Sequence, residues 1–178
     1  MKNSIRLILI LFLSGVALTS CSDKVLFTRQ MQQVLYKNEI NMGHVQFYNS
    51  KKIVLKRNLS SEETKVASGK IRFENGKFVE EIIIPKHTPG IAVKSGKNYL
   101  NIAFERDKHK NLKFLLNYND NYQLSAKEWD KNYGKVNYDT LTYYILPGGA
   151  KALLEVGKDN VNKFTKKKRK LKGVRIDR

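Results

Sequence analysis

Residues 65–84 read KVASGKIRFENGKFVEEIII, and the fold class turns on Glu74-Asn75-Gly76 in their middle. Apolar and polar residues alternate on both sides of that triplet. A period of two places successive side chains on opposite faces of a strand. Asn-Gly supplies the left-handed backbone that a tight turn needs, so the stretch predicts a β-hairpin.

The same pattern repeats outward from this hairpin. KKIVLKRNL (51–59) precedes it. IAVK (91–94), YLNIAFE (99–105), LKFLLNY (112–118), YQLSAKEW (122–129), GKVNY (134–138), LTYYIL (141–146) and AKALLEV (150–156) follow. Between them stand PKHTPG, SGKN, RDKHKN, Asn119-Asp120-Asn121, Asp139-Thr140 and Pro147-Gly148-Gly149, all rich in turn formers. About ten short strands at this spacing predict antiparallel β structure, as a small barrel or a two-sheet sandwich.

Helical spacing appears only before the strands. Phe27, Met31, Val34 and Leu35 predict a helix over about 24–36. Asn38 is positioned to cap a second short helix, with Ile40, His44, Phe47 and Tyr48 on one face. The expected class is therefore mainly β with one or two N-terminal helices (α+β). At the other end, NKFTKKKRKLKGVRIDR (162–178) carries Phe164, Leu171, Val174 and Ile176 among its cations, and predicts a basic edge strand. Charge on an edge strand resists edge-to-edge pairing. No linker or repeat divides 21–178, which is expected to be one domain.

The leader sets the compartment. Lys2 and Arg6 form a short basic region, and Ile8 to Leu18 is apolar, broken only by Ser14 and Gly15. That run is too short for a permanent span and fits a secretory signal over 1–20. Leu18-Thr19-Ser20-Cys21 follows, an apolar residue and two small ones before the single Cys. Small residues let the backbone enter a peptidase, and the thiol is the atom that takes the diacylglycerol. The expectation is a mature chain from Cys21, anchored by acyl chains at about 0.8 kcal/mol per buried methylene. Cleavage removes Lys2 and Arg6 and no acid, leaving 158 residues with a formal side-chain charge of +16. With one Cys there is no disulfide framework, so the core alone must stabilise the body.

The whole chain carries a formal charge of +18, which attracts polyanions without choosing among them. Outside the cytoplasm the expected partners are the membrane, through the N-terminal lipid, and an anionic envelope polymer, a lipid head group or another envelope protein; nucleic acid is not expected. Lys166, Lys167, Lys168, Arg169, Lys170 and Lys172 are the candidate anion-binding residues. An AT-rich genome, which favours Lys, Asn, Ile and Tyr codons, is the bland explanation of part of that charge.

Catalytic patterns are weak. His44, His87 and His109 have no second ligand at metal spacing, so no metal or cofactor is expected. Glu80 and Glu81 are adjacent and must face opposite ways on a strand. Glu105, Asp107, Glu128 and Asp130 have no spacing that sets a glycosidase pair. An envelope hydrolase using carboxylates is the less favoured reading, and no enzyme is expected. Seven aromatics lie between Tyr118 and Tyr144. At alternating strand positions such residues are more often core than platform. Trp129, Lys131 and Tyr133, in KEWDKNYGKVNY, are the candidate ligand surface.

At QFYNSKKIVLKR, FVEEIIIPKHTPGIAV, NYLNIAFE and KEWDKNYGKVNYDTLTYYI the sequence resembles a group of small lipobox-bearing, β-rich lipoproteins of Bacteroidota. The resemblance implies a lipobox, a short helical segment and a β-rich body in a cell-envelope protein. It implies no activity and no site residue. In that phylum, surface export goes with acids just after the Cys. Ser22-Asp23-Lys24 has one acid and then a cation, so an outer-membrane anchorage facing the periplasm is expected.

Overall fold

A computed structural model describes residues 23–60, 71–74 and 76–165, with side chains for 23–60 and 76–161. The leader, Cys21 and the six candidate cations between Lys166 and Lys172 lie outside the described residues. So does the first part of the stretch 65–84.

Thirteen strands form two antiparallel sheets among the described residues. The larger sheet contains β1 (Lys24–Leu26), β2 (Gln46–Asn49), β6 (Pro89–Gly96), β7 (Tyr99–Ala103), β8 (Asn111–Leu116), β9 (Tyr122–Leu124) and β13 (Leu154–Gly157), in the order β1-β13-β2-β6-β7-β8-β9. The smaller contains β3 (Ile53–Asn58), β4 (Ile71–Glu74), β5 (Lys77–Ile84), β10 (Glu128–Asp130), β11 (Tyr133–Tyr138) and β12 (Leu141–Ile145), in the order β10-β11-β12-β3-β5-β4. The larger sheet curls until β9 bridges Gln123 to Leu153, just before β13, but among the described residues no ladder closes it into a barrel. The architecture is a sandwich.

The hairpin that decided the class is present. β4 and β5 pair from Ile71–Glu80 to Glu74–Lys77, with Gly76 at φ 76° in the turn. Inner faces alternate as the period of two requires. Phe47, Leu100, Ile102, Phe114, Tyr122 and Leu154 of the larger sheet meet Ile53, Leu55, Val136, Tyr143 and Ile145 of the smaller in one core. Phe27 joins them, its ring 5.0 Å from Phe47 and 5.5 Å from Tyr122.

Three local expectations need correction. The first helix, α1, runs Arg29–Lys37, and β1 occupies the residues before it. Thr28 caps α1 by accepting from the Met31 amide at 3.3 Å, a signal that helical spacing alone does not register. Instead of a second helix there is a single 3-10 turn at Met42–His44, and Phe47 and Tyr48 lie on β2. On β2 they face opposite ways, Phe47 fully buried and Tyr48 half-buried. The start of the basic tail is helical: α2 spans Lys158–Thr165, with Asp159 in its first turn. A carboxylate there favours the helix dipole. The remainder of the tail lies outside the described residues.

The two sheets exchange chain at buried polar knots. Asn49, with no exposed surface, donates from Nδ2 to the carbonyls of Lys51 and Pro85, both at 2.7 Å. The main-chain carbonyl of Asn49 accepts from the His87 amide at 2.8 Å. One side chain thus ties the crossover from β2 to β3 to the crossover from β5 to β6. Under α1, Gln32 accepts from the Tyr122 hydroxyl at 2.5 Å and donates to Gly96 O at 3.1 Å. That pair fixes the helix to the larger sheet.

Candidate functional site

Trp129, Lys131 and Tyr133 lie on the β10–β11 hairpin, where Asp130 pairs with Tyr133 and Trp129 with Gly134. Lys131 occupies the turn with φ 53°, a conformation that a Lys adopts only under the constraint of the turn. The structure does not bring the two rings onto one face. Cross-strand partners share a face, so Trp129 lies on the side of Gly134 while Tyr133 lies on the other. The two rings therefore form no single platform.

Tyr133 is on the outer face of the smaller sheet. With Tyr144, Leu146 and Lys56 it lines an open depression of about 370 Å³. Cross-strand register extends a row through it: Glu128, Lys135, Tyr144, Lys56 and Glu81. Glu128 and Lys135 stand 3.4 Å apart. Acids and bases alternate about Tyr144, so this face is locally close to neutral despite the charge of the chain.

Trp129 is on the other side, packed against Gly134. A Cβ on Gly134 would stand 2.9 Å from the Trp129 ring and 2.7 Å from the Ala126 methyl, so glycine is what lets the indole lie against the strand. Ala126 and Val136 are part of the lining of a cleft of about 380 Å³ between the start of β8 and the second half of β11. Asn101, Asn111, Ser125, Lys127, Asn137, Asp139 and His109 supply its polar walls. Asn101 donates to Asn111 Oδ1 at 3.0 Å, and its own Oδ1 is buried without a partner. Lys113, also in the lining, holds its ammonium 5.1 Å from the Tyr99 ring centre.

Carboxylates with catalytic potential are engaged elsewhere. Glu80 faces inward, accepting from Arg57 Nε at 2.6 Å and from the Tyr143 hydroxyl at 3.0 Å. Its neighbour Glu81 opposes Lys56 on the outer face, as alternation requires. Glu105 accepts from the Tyr138 hydroxyl at 2.5 Å. Burial, and then that bond, hold the Tyr138 phenol well above its ordinary pKa. Tyr143 is raised too, chiefly by burial, with Arg57 opposing. These phenols stay protonated donors at neutral pH. Tyr138 ties the smaller sheet to Glu105, just after β7 of the larger one, while Tyr143 binds Glu80 within the smaller sheet.

The three His are scattered. His44 is exposed in the 3-10 turn, His87 sits 3.2 Å from Glu155 Oε2, and His109 is in the loop before β8. His109 and Asp139 share the cleft, but no hydrogen bond or ion pair joins them among the described residues. No group of three metal-ligand side chains occurs there either. The cleft was not legible in the sequence, because its walls come from four separated segments.

The chain matches no protein family, no curated protein and no solved structure. No helix among the described residues is long and apolar enough to cross a membrane.

Proposed function

We propose that this protein is a non-catalytic binding module of the bacterial envelope, lipid-anchored through Cys21 and facing the periplasm from the outer membrane. The observation that carries the binding reading is the cleft between β8 and β11. It has amide-rich walls and one amide acceptor without a partner. Preformed concavities with a few convergent polar groups are the usual setting of a ligand. The non-catalytic reading rests on the acids: Glu80 and Glu105 are tied to Arg57, Tyr143 and Tyr138, and His109 and Asp139, which share the cleft, make no hydrogen bond to each other. The anchor reading rests on the leader and the single Cys.

The anchor is tested by mass spectrometry of the N-terminal peptide from native membranes. The expected peptide begins at Cys21 and carries a diacylglycerol and an amide-linked acyl chain, and Cys21→Ser abolishes both cleavage and acylation. Recovery of the intact leader with a free thiol, in soluble protein, overturns the envelope assignment. Capture from solubilised envelope then tests binding.

A second reading is favoured by the net charge of +18. In it, Lys166, Lys167, Lys168, Arg169, Lys170 and Lys172 hold an anionic polymer or lipid head group. Retention on anionic vesicles must then fall steeply between low and high salt. Salt-independent retention excludes it.

A further inference from the structure

We propose that the cleft between β8 and β11 binds an acidic sugar, one or two rings carrying a carboxylate or phosphate. Lys113 and Lys127 take the oxyanion, and neutral groups of the wall take the hydroxyls. This inference rests on the binding reading above and names its ligand class. It places the site on the folded body and not on the basic tail.

Three observations carry it. The first is where the charge stands. Lys113, Lys127 and His109 line the cleft beside one carboxylate, Asp139. Cross-strand register sets Lys94, Asn101 and Lys113 in one row on β6, β7 and β8. Ser125, whose amide donates to Lys113 O at 2.9 Å, extends that row. No carboxylate among the described residues pairs with Lys94, Lys113 or Lys127. Cations gathered in a concavity with few acids focus their field into it. The second is preorganisation. The Lys113 ammonium stands 5.1 Å from the Tyr99 ring centre, and Tyr99 lies so close over Gly96 that a Cβ there would collide with it. The lysine is thereby held along the wall, and less rotamer freedom is lost when an anion binds. Asn111 is fixed too, donating to Lys108 O at 2.9 Å and to His109 O at 3.1 Å while accepting from Asn101 at 3.0 Å. Those bonds hold the loop of His109 at the cleft. The third is the neutral remainder. Asn137 is exposed and its side chain has no hydrogen bond among the described residues. The Ser125 hydroxyl makes only a 3.3 Å bond to the adjacent Ala126 carbonyl. Both groups donate and accept, as sugar hydroxyls do.

The same wall argues against other anions. It holds no aromatic ring, so a nucleotide base finds nothing to stack on. A bare inorganic ion would leave Asn137 and Ser125 without a ligand group to bind. The space of about 380 Å³ lies near the lower end of small-ligand clefts, roughly 300–1,000 Å³, which suits one or two rings. Leu115 and Ala126 supply apolar surface for the C–H face of a ring.

The test is calorimetric. Purified full-length protein in detergent is titrated at moderate salt with digalacturonate, glucose phosphate, the neutral disaccharide lactose, and tetraglutamate. Digalacturonate or glucose phosphate is expected to saturate a single site, and the tighter of the two identifies the oxyanion. Lys113→Gln and Lys127→Gln should each weaken that binding about tenfold, one lost hydrogen bond to a charged group. Asn137→Ala should weaken it about fivefold, one lost bond to a neutral group. Far-UV circular dichroism of all three should match the parent. Replacing Lys166, Lys167, Lys168, Arg169, Lys170 and Lys172 by Gln should leave the affinity unchanged. Lactose bound as tightly as the acidic sugars shows that the lysines select nothing, and overturns the proposal. Tetraglutamate bound as tightly overturns the sugar class. Parental affinity in both lysine variants overturns the site, and a loss confined to the tail variant assigns the anion to the basic segment instead. No binding of any probe, with a ligand still captured from envelope, overturns this inference alone. No captured ligand of any kind overturns the binding reading as well.

Discussion

Asn49→Ala should destabilise this protein although it removes no apolar surface. The side chain is wholly buried, and its amide reaches two carbonyls at 2.7 Å, one on each crossover between the sheets. Truncation leaves the Lys51 carbonyl without that donor, while the Pro85 carbonyl keeps the Thr88 hydroxyl at 2.8 Å. A buried acceptor left unsatisfied costs about 1–3 kcal/mol. Some is returned, because the unpartnered Asn49 Oδ1 is removed with the amide. The net loss is then about 1–2 kcal/mol, a sizeable share of the roughly 5–15 kcal/mol that holds a domain together. In urea, with a slope of about 2 kcal/mol per molar, the midpoint should fall by about 0.5–1 M at unchanged slope. Asn49→Asp should be worse at pH 7, because a carboxylate faces two carbonyl oxygens, and should recover partly in acid as it gains a donor. Equilibrium unfolding followed by far-UV circular dichroism reads all three. A midpoint within 0.2 M of the parent for Asn49→Ala would falsify the claim that this amide ties the crossovers.

Two further outcomes follow from the packing. Burial pushes the Tyr122 phenol up to about 12. Its neutral form is favoured in the folded state, so its contribution is intact below pH 10 and is lost as pH rises from about 10 to 12. Alkaline unfolding curves should show this loss, and Tyr122→Phe should flatten it while lowering neutral-pH stability by about 1–3 kcal/mol through the stranded Gln32 acceptor; an unchanged alkaline slope rejects the assignment. Gly134→Ala places a methyl within 3 Å of both the Trp129 ring and Ala126, so the indole must swing outward. Emission should shift to the red with a loss of about 1–3 kcal/mol, and an unmoved spectrum means the ring does not rest on Gly134.

The strands were legible because each carries its own signal. Alternation in KFVEEIII and LTYYIL, and the turns at Gly76 and at Asp139 with φ 59°, are local facts that no tertiary contact overrides. The aromatics sorted as strand alternation implies: Tyr122, Tyr138 and Tyr143 are core, while Tyr118, Tyr133 and Tyr144 are exposed. What failed was whatever depended on which sheet a strand joins. YQLSAKEW reads as one strand, yet it leaves the larger sheet at Ser125 and enters the smaller at Glu128. That switch opens the cleft, and nothing in the eight residues announces it. Residues 38–48 depart from their helical pattern for a related reason. Ile40, His44, Phe47 and Tyr48 fit a helical stripe, but cross-strand partners on β13 and β6 hold Phe47 and Tyr48 extended. Tertiary pairing outweighs a weak helical preference over so short a run.

β1 begins at Lys24, with two residues between it and Cys21. Three peptide steps reach at most about 11 Å. An acyl chain on that sulfur therefore leaves the body no stalk. It would ride flush against the head groups, one flank held to the lipid and its rotation confined to a narrow cone. Whatever docks must then approach from the side or from above, and lengthening this leash by a dozen flexible residues would free the remaining surface without touching a single contact inside the fold.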